Sequence, residues 1–363
     1  MQISYKLCLL GVVTARLGLA GPVGLIQDLG TLGGGNATAY AINDLGQAAG
    51  WSATATDGTQ AFVSGSGGLL GLSNGAGANS YAYGINDSGV VVGAFYVDGQ
   101  GHAAIWDGSS MTDLGASTYG HAINDAGAVA GGNGQAFVYS GGKMEMLGYL
   151  PGGDWSVAYG INDLAEVVGY GTVAPGVSRA FYWNGSGLVP IGTLGGSTSF
   201  AMGVNNSGAI VGGSTTASGY MNAFLSIGGS MANLGTLGGT TSYAYGVNNN
   251  GYVVGYSTTT DGASHAFLYA NGTMIDLNAL LPVNSGWDLL DAYAVNRNNQ
   301  IAGTGLYGGQ QHAFVLSLSQ PLVAEPVAPP AAAPEVATLS LTCGGICVIW
   351  IIHLLRRRPA TAR

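Results

Sequence analysis

Residues 83–93 read YGINDSGVVVG, and residues 245–255 read YGVNNNGYVVG. Both stretches place an aromatic residue, a small residue, Ile or Val, and Asn before a turn, and then a short apolar run that ends in Gly. The block occurs seven times, and its asparagines are Asn43, Asn86, Asn124, Asn162, Asn205, Asn248 and Asn296. Consecutive asparagines are 43, 38, 38, 43, 43 and 48 residues apart. This spacing is close to the period of β-propeller blades.

Two other blocks recur between the asparagines in a constant order. One is Ala-Phe with apolar neighbours, and its copies begin at Ala61, Ala136, Ala180, Ala223, Ala266 and Ala313, with AAIW at residues 103–106 in the remaining repeat. The other is a Leu-Gly block, clearest in residues 28–34 (DLGTLGG) and 233–239 (NLGTLGG). Asn, Asp and Gly between the blocks are typical of hairpin turns. Each repeat is therefore predicted to form four antiparallel strands, the content of one blade.

The strand count predicts that the two ends of the repeat region meet. The last Ala-Phe strand, at Phe314, has no Leu-Gly strand after it, whereas residues 23–29 supply an unmatched one at the start. Inserting residues 23–29 beside residues 312–316 leaves no unfinished sheet edge. We therefore predict an all-β fold, a seven-bladed β-propeller over residues 21–318, built from repeats of 38–48 residues. An open solenoid would not need this surplus strand.

The composition excludes nucleic acid as a partner. Charged residues make up 7% of the chain, against about 25% in ordinary soluble domains. The net charge is −9, and between residues 21 and 320 the only basic residues are Lys143, Arg179 and Arg297. So few cations cannot neutralise a run of phosphates. The three cysteines, Cys8, Cys343 and Cys347, lie outside the repeats, so no disulfide is expected in the propeller.

Both ends of the chain predict export to a membrane. Residues 1–20 combine Lys6, an apolar stretch at 7–13 and small residues at 18–20, which is typical of a secretory signal peptide. Residues 319–336 form a proline-rich linker, and residues 337–355 contain no Asp, Glu, Lys or Arg. As a helix this stretch would span about 28 Å, close to the hydrocarbon core of a bilayer. Three arginines follow it, Arg356, Arg357 and Arg358, so the positive-inside rule places residues 359–363 in the cytoplasm and the propeller outside.

The C-terminal segment resembles the PEP-CTERM sorting signal of Gram-negative bacteria. That signal is a Pro-Glu-Pro motif, an apolar segment and an arginine cluster, and here the motif reads Pro334-Glu335-Val336. The resemblance implies a sorting enzyme as a partner and residues 337–358 as a transmembrane helix with its arginine cluster. Val336 stands where the signal has its second proline, which leaves two outcomes open. Either the enzyme cleaves near the motif, or the helix remains as an anchor.

The repeats resemble the HAF-repeat family of extracellular proteins, named for a His-Ala-Phe block. Residues 265–267 and 312–314 carry that block literally, and the resemblance covers roughly residues 27–316. It implies an extracellular location and this repeat architecture, and no particular biochemical role.

The repeated polar residues have a structural and a functional interpretation. The seven asparagines would either surround a ligand or open hairpin turns by bonding backbone amides, and we favour the turns. Histidine occupies one repeat position in three copies, where the other copies have different residues: His102, His265 and His312 against Gln60, Gln135, Arg179 and Asn222. These residues share hydrogen-bonding capacity and not metal affinity. The sequence therefore predicts no metal site and no cofactor.

The longest repeat spacing contains the candidate ligand-binding residues Trp287, Asp288 and Asp291. Insertions on a propeller rim often bind ligands, and the alternative is a capping turn over the closure. Residues 71–75 (GLSNG) and 303–308 (GTGLYG) match a hydrolase and a dinucleotide pattern by chance, because neither precedes a helix. No catalytic residue is assigned.

Three functions remain open from the sequence. The preferred one is an exported, membrane-tethered and non-catalytic propeller that binds exopolysaccharide or a surface protein. The first alternative is a polysaccharide lyase or hydrolase acting on the propeller rim. The second alternative is a structural component of the extracellular matrix. Fold alone does not decide among them.

Overall fold

The computed structural model describes residues 24–56, 58–72, 79–108 and 110–319. These residues belong to the compact unit Met1–Val323, and the second unit, Ala324–Arg363, lies outside them. The predicted signal peptide, sorting motif, transmembrane helix and arginine cluster also lie outside the described residues. Within the described ranges, no helix is long and apolar enough to cross a membrane.

Seven antiparallel sheets of four strands each make up the body. Their first strands are β2 (Gly33–Ile42), β6 (Ser80–Ile85), β10 (Gly120–Ile123), β14 (Ser156–Ile161), β18 (Gly195–Val204), β22 (Gly238–Val247) and β26 (Trp287–Val295). Their second strands are β3 (Ala48–Thr54), β7 (Val91–Val97), β11 (Val129–Gly132), β15 (Val167–Ala174), β19 (Ile210–Thr216), β23 (Val253–Thr259) and β27 (Gln300–Tyr307).

The outer half of each blade consists of third and fourth strands. The third strands are β4 (Thr59–Gly65), β8 (Gln100–Trp106), β12 (Ala136–Ser140), β16 (Val177–Trp183), β20 (Met221–Ile227), β24 (Ser264–Ala270) and β28 (Gln310–Leu318). The fourth strands are β5 (Gly68–Gly71), β9 (Met111–Ala116), β13 (Lys143–Gly148), β17 (Val189–Pro190), β21 (Ser230–Asn233), β25 (Thr273–Asp276) and β1 (Gly24–Asp28). One short 3-10 helix, Leu277–Leu280, follows β25. The ends of all seven first strands surround one central depression, so these strands are the innermost. The chain is a seven-bladed β-propeller, as the repeats predicted.

The ring closes as the strand count predicted. Strand β1 pairs antiparallel with β28, with Gly24 opposite Leu318 and Asp28 opposite Phe314. It is therefore the fourth strand of the blade that contains the end of the repeat region. Leu29, directly after β1, is buried. Strand β1 thus covers an edge that the last repeat would otherwise expose.

The Ala-Phe block forms the packing between blades. Its phenylalanines are fully buried: Phe62, Phe137, Phe181, Phe224, Phe267 and Phe314. In the remaining blade Ala104 stands at this position, and Phe95 of the neighbouring strand β7 is buried in the same cluster. Phenylalanine is a large apolar side chain, so these residues contribute much of the apolar surface buried between blades.

The glycine that ends each repeat block is required by crowding of the backbone. Each first strand has a register shift, such as the one between Ala244 and Gly246 in β22. Opposite this shift, a Cβ atom on the block glycine would overlap a carbonyl oxygen of the first strand, as Gly255 would overlap that of Tyr243. The other six glycines meet the same obstacle: Gly50, Gly93, Gly131, Gly169, Gly212 and Gly303.

Candidate functional site

The seven repeat asparagines lie at one end of the innermost strands and hold the turns. In each turn the asparagine Oδ1 atom accepts a hydrogen bond from the backbone N–H four residues later, as Asn86 does from Val90 at 3.0 Å. The same bond is present in the other six blades. The predicted role in opening hairpin turns is therefore confirmed.

The same asparagines also bond to one another's backbones in a closed ring. The Nδ2 atom of each donates to the carbonyl oxygen of the asparagine in the next blade, over 2.8–3.2 Å. This ring was not predicted from the sequence. The sequence does contain an indication of the ring, because all seven positions are Asn and none is Asp. Asp would supply the acceptor for the turn but not the donor to the next blade.

A second ring of polar side chains follows the asparagines at the same end. Its members are Asp44, Asp87, Asp125, Asp163, Asn206, Asn249 and Arg297. Six of the seven backbone N–H groups in this ring donate to the side-chain oxygen of the next blade. The guanidinium of Arg297 pairs with Asp44 and, at 3.0 Å, with Asp87.

The two polar rings line a central depression of about 240 Å³. The carboxylates there already accept backbone hydrogen bonds or pair with Arg297. Among the described residues, no group of three His, Cys, Asp or Glu side chains is arranged to hold a metal ion. This end of the propeller is therefore built from hydrogen bonds between blades.

Aromatic side chains surround the axis further along the same strands. The residue three positions before each asparagine is aromatic in six blades and a methionine in the seventh: Tyr40, Tyr83, His121, Tyr159, Met202, Tyr245 and Tyr293. Adjacent rings are close, with centroids 4.4 Å apart for His121 and Tyr159 and 4.9 Å apart for Tyr40 and Tyr293. Around Met202 the contacts pass instead through three other rings, which are Tyr170, Phe200 and Tyr243. The ring-to-ring contacts therefore close around the axis.

We call the connected set of rings the aromatic belt. Its members are Tyr40, Trp51, Tyr81, Tyr83, Tyr96, Tyr119, His121, Trp155, Tyr159, Tyr170, Phe200, Tyr243, Tyr245, Tyr256 and Tyr293. It holds 11 of the chain's 19 tyrosines. Every member is partly exposed, so the rings are not simply core. The repeated aromatic position is visible in the sequence, but its assembly into a belt was not predicted from it.

Burial shifts the pKa values of several members of the aromatic belt away from the charged form. It raises the pKa of several tyrosines, among them Tyr83, Tyr243 and Tyr293, well above the ordinary range. It lowers the pKa of His121 to about 4, so the imidazole is neutral at pH 7. The belt therefore offers ring faces together with neutral hydroxyl groups that both donate and accept hydrogen bonds.

Among the residues that the structure describes, Asp291 is the one carboxylate whose charge raises the pKa of belt tyrosines. It lies in β26 opposite Thr304 of β27. Burial is the main cause of the raised pKa values of four belt tyrosines, and the charge of Asp291 raises them further: Tyr40, Tyr245, Tyr256 and Tyr293. Burial raises the pKa of Asp291 itself to about 6, and no hydrogen bond or ion pair from the described residues opposes that shift.

The structure does not bring the three candidate ligand residues together. Trp287 stacks on Tyr307, with ring centroids 5.0 Å apart, and its edge meets Phe314. Asp288 is exposed, 3.9 Å from Nε2 of His265. The pairing register of β26 shifts between Leu289 and Asp291. The regular alternation of side chains is interrupted there, between Asp291 and the two residues Trp287 and Asp288. Of the three, only Asp291 affects the tyrosines of the aromatic belt.

The repeated histidines bind carboxylates of the fourth strands. Nδ1 lies 2.9 Å from the carboxylate in His102–Asp113, 2.7 Å in His265–Asp276 and 2.9 Å in His312–Asp28. Asn222 and Asn233 replace such a pair in another blade, at 3.2 Å. The predicted hydrogen-bonding role is confirmed. Its partner is the Asp or Asn that begins the Leu-Gly block.

No protein-family model matches the chain, and no curated protein matches it. Among solved structures, it is similar to the β-propeller domain of the Trilobed protease from Pyrococcus furiosus, at 12% identity over 67% of this chain and 84% of that chain, with a TM-score of 0.46. It is also similar to TolB from Acinetobacter baumannii, at 12% identity over 72% and 76%, with a TM-score of 0.42. A third similar structure is an Aleuria aurantia lectin in complex with Fucα1-6GlcNAc, at 11% identity over 66% and 93%, with a TM-score of 0.37. These similarities concern the fold alone.

Proposed function

We propose that this chain is an exported, non-catalytic glycan-binding propeller of the cell surface, and that the aromatic belt is its binding site. The observation that carries the proposal is the closed circle of partly exposed rings. Sugars present apolar C–H faces that stack on aromatic rings, and their hydroxyl groups bond to tyrosine hydroxyls. Binding sites generally combine such apolar surface with a few polar groups.

The charges favour a glycan that is not strongly anionic. Among the described residues, Asp291 is the only acid whose charge raises the pKa of belt tyrosines, and no lysine or arginine contributes to any of the raised pKa values. An anionic polymer would gain no cation there and would face a carboxylate. Arg297, one of the few basic residues, is engaged by Asp44 and Asp87 at the other end of the strands.

Binding is favoured over catalysis by the number of acids. Hydrolysis of a glycosidic bond by the usual route needs two carboxyl groups about 5–10 Å apart. Among the described residues, Asp291 is the single carboxylate whose charge acts on belt tyrosines, and Asp288 faces His265 instead. The rim lyase or hydrolase and the structural matrix component remain alternative hypotheses.

Location at the envelope rests on the two ends of the chain. Residues 1–20 support export, and the tail that resembles PEP-CTERM supports either anchoring or processing. We favour anchoring, because a site shaped for the fixed φ of proline should bind Val336 less well. Mass spectrometry of the C-terminus in membrane and soluble fractions distinguishes the two. A form that ends near Glu335 outside the membrane fraction would contradict anchoring.

The binding proposal is tested on a glycan array with the purified chain. Tyr81→Ala and Trp51→Ala each remove one ring of the aromatic belt. The matched control is Tyr220→Ala, because Tyr220 is 52% exposed and lies outside the belt. Loss of one stacked ring is expected to weaken binding about three- to tenfold. The proposal is wrong if no glycan binds, or if the control weakens binding as much as the two belt variants.

A further inference from the structure

Asp291 is an acid that the blade fold does not require. It stands five residues before Asn296. The equivalent residues in the other blades are Thr38, Tyr81, Tyr119, Val157, Phe200 and Tyr243, and none of them is charged. Six blades therefore form the same strand without a carboxylate at this place. A charged residue at this position therefore occurs only in the blade that closes the ring.

Within the part of the chain that the structure describes, the charge of Asp291 has no ion-pair or hydrogen-bond partner. Tyr293 follows two residues later on the same strand, and its ring lies 4.9 Å from that of Tyr40 in β2 and 5.0 Å from that of Tyr245 in β22. The ring of Tyr245 in turn contacts that of Tyr256 in β23, and the charge of Asp291 acts on all four tyrosines. His265 of β24 faces Asp276 and Asp288 instead. A carboxylate that is partly buried without a counter-ion costs free energy. Such a cost at a site lined with aromatic rings indicates that a ligand supplies the missing charge.

We propose that the ligand of the aromatic belt carries ammonium groups, and that Asp291 is the counter-ion for one of them. This inference rests on the glycan-binding function proposed above and specifies its ligand class. The ligand would be a polymer of amino sugars whose amino groups are free and not acetylated.

Each part of that ligand matches a feature of the site. The pyranose faces stack on the rings of the aromatic belt, as in the proposed function. Aromatic faces attract cations, so an ammonium group gains both from the rings and from the Asp291 carboxylate. A net charge of −9, with only three basic residues between residues 21 and 320, also attracts a polycation over longer distances. Acetylation of the amine would remove the charge and all of these electrostatic gains.

The test compares two oligomers of equal length, a hexamer of glucosamine and a hexamer of N-acetylglucosamine. Calorimetric titration of the full chain is done at about pH 6.5, where the Asp291 carboxyl group, with its pKa of about 6, is mainly ionised. The glucosamine hexamer is expected to bind at least about tenfold more tightly. Asp291→Asn should remove most of this preference, with little effect on the acetylated hexamer.

Two further variants keep the test decisive. Asp291→Thr introduces the residue type that the first blade has at this place, Thr38, and serves if the asparagine variant folds poorly. Glu145→Gln removes a carboxylate from the exposed strand β13 and should leave both affinities unchanged.

The outcomes separate the two proposals. Equal or tighter binding of the acetylated hexamer, or a preference that survives both Asp291 variants, overturns the role of Asp291 while glycan binding stands. Failure of both hexamers and of every arrayed glycan overturns the proposed function, and this inference with it.

Discussion

The side-chain amide of Asn296 donates a hydrogen bond to the backbone carbonyl oxygen of Asn43, 2.9 Å away in space and 253 residues away in the chain. This bond joins the last repeat to the first and completes the ring of seven asparagines. It lies at the end of the innermost strands, whereas the pairing of β1 with β28 closes the outer edge of the same blade. The propeller is therefore closed twice, once near its axis and once at its periphery.

Substitution of a single ring asparagine should separate its two roles. Asn205→Asp keeps the oxygen that accepts from Ala209 but loses the donor to the carbonyl oxygen of Asn248. It also places a negative charge against that carbonyl group, at a buried position. We expect a loss of about 2–3 kcal/mol in the free energy of unfolding, measured by chemical denaturation.

Two further variants serve as comparisons for Asn205→Asp. Asn205→Ala removes both roles and should cost more than Asn205→Asp. Asn184→Asp makes the same chemical change at an exposed residue and should cost less than about 0.5 kcal/mol. If Asn205→Asp is as stable as the natural protein, the ring contributes nothing beyond the turns.

Removal of the N-terminal strand should destabilise the whole ring. A fragment of residues 30–319 lacks β1, the Asp28 partner of His312 and the buried side chain of Leu29. It also exposes the edge of β28. Relative to a fragment of residues 24–319, we expect a loss of about 3 kcal/mol or more, seen as a lower melting temperature. Equal melting temperatures for the two fragments would refute the closure by β1.

The repeat glycines should tolerate no side chain. Gly255→Ala drives a methyl group into the carbonyl oxygen of Tyr243, and a backbone atom cannot move aside as a flexible side chain can. We expect a loss of about 3 kcal/mol or more in the free energy of unfolding. Gly192→Ala is the control, because nothing lies within 4 Å of the Cβ atom it would add. A mild effect at Gly255 would contradict the crowding described here.

The carboxyl group of Asp291 should make stability depend on pH in an unusual direction. Its pKa is raised from 3.8 to about 6 by burial, so the folded protein binds a proton more readily than the unfolded chain. Its contribution therefore favours folding below about pH 4, and is lost as the pH rises through about 6. Asp291→Asn removes this dependence.

The measurement is the difference in unfolding free energy between Asp291→Asn and the natural protein. We expect this difference to grow between about pH 4 and pH 7, by at most about 3 kcal/mol in favour of the variant. Glu145→Gln, on the exposed strand β13, is the control for removal of one negative charge. A difference that stays constant across this range would show that Asp291 is not buried as described.

The sequence by itself determined the number of blades, the four strands in each and the closure by residues 23–29. These follow from spacing and turn chemistry, which act between residues that are near in the chain. The Asp-Ser-Gly turn after Asn86 is one example, because it dictates a hairpin wherever the blade finally lies.

Only the tertiary structure decided which residues from different blades meet. Residues 38–48 positions apart become neighbours because the blades curve around one axis, and no local pattern encodes that contact. The bond from Asn86 to Asn124 and the stacking of His121 on Tyr159 both depend on it. The separation of Trp287 from Asp291 depends on a register shift in β26, which alternation along the strand did not reveal. The environment of Asp291 also depends on the tertiary structure, because the rings around it come from several blades and bury it only when the propeller is assembled.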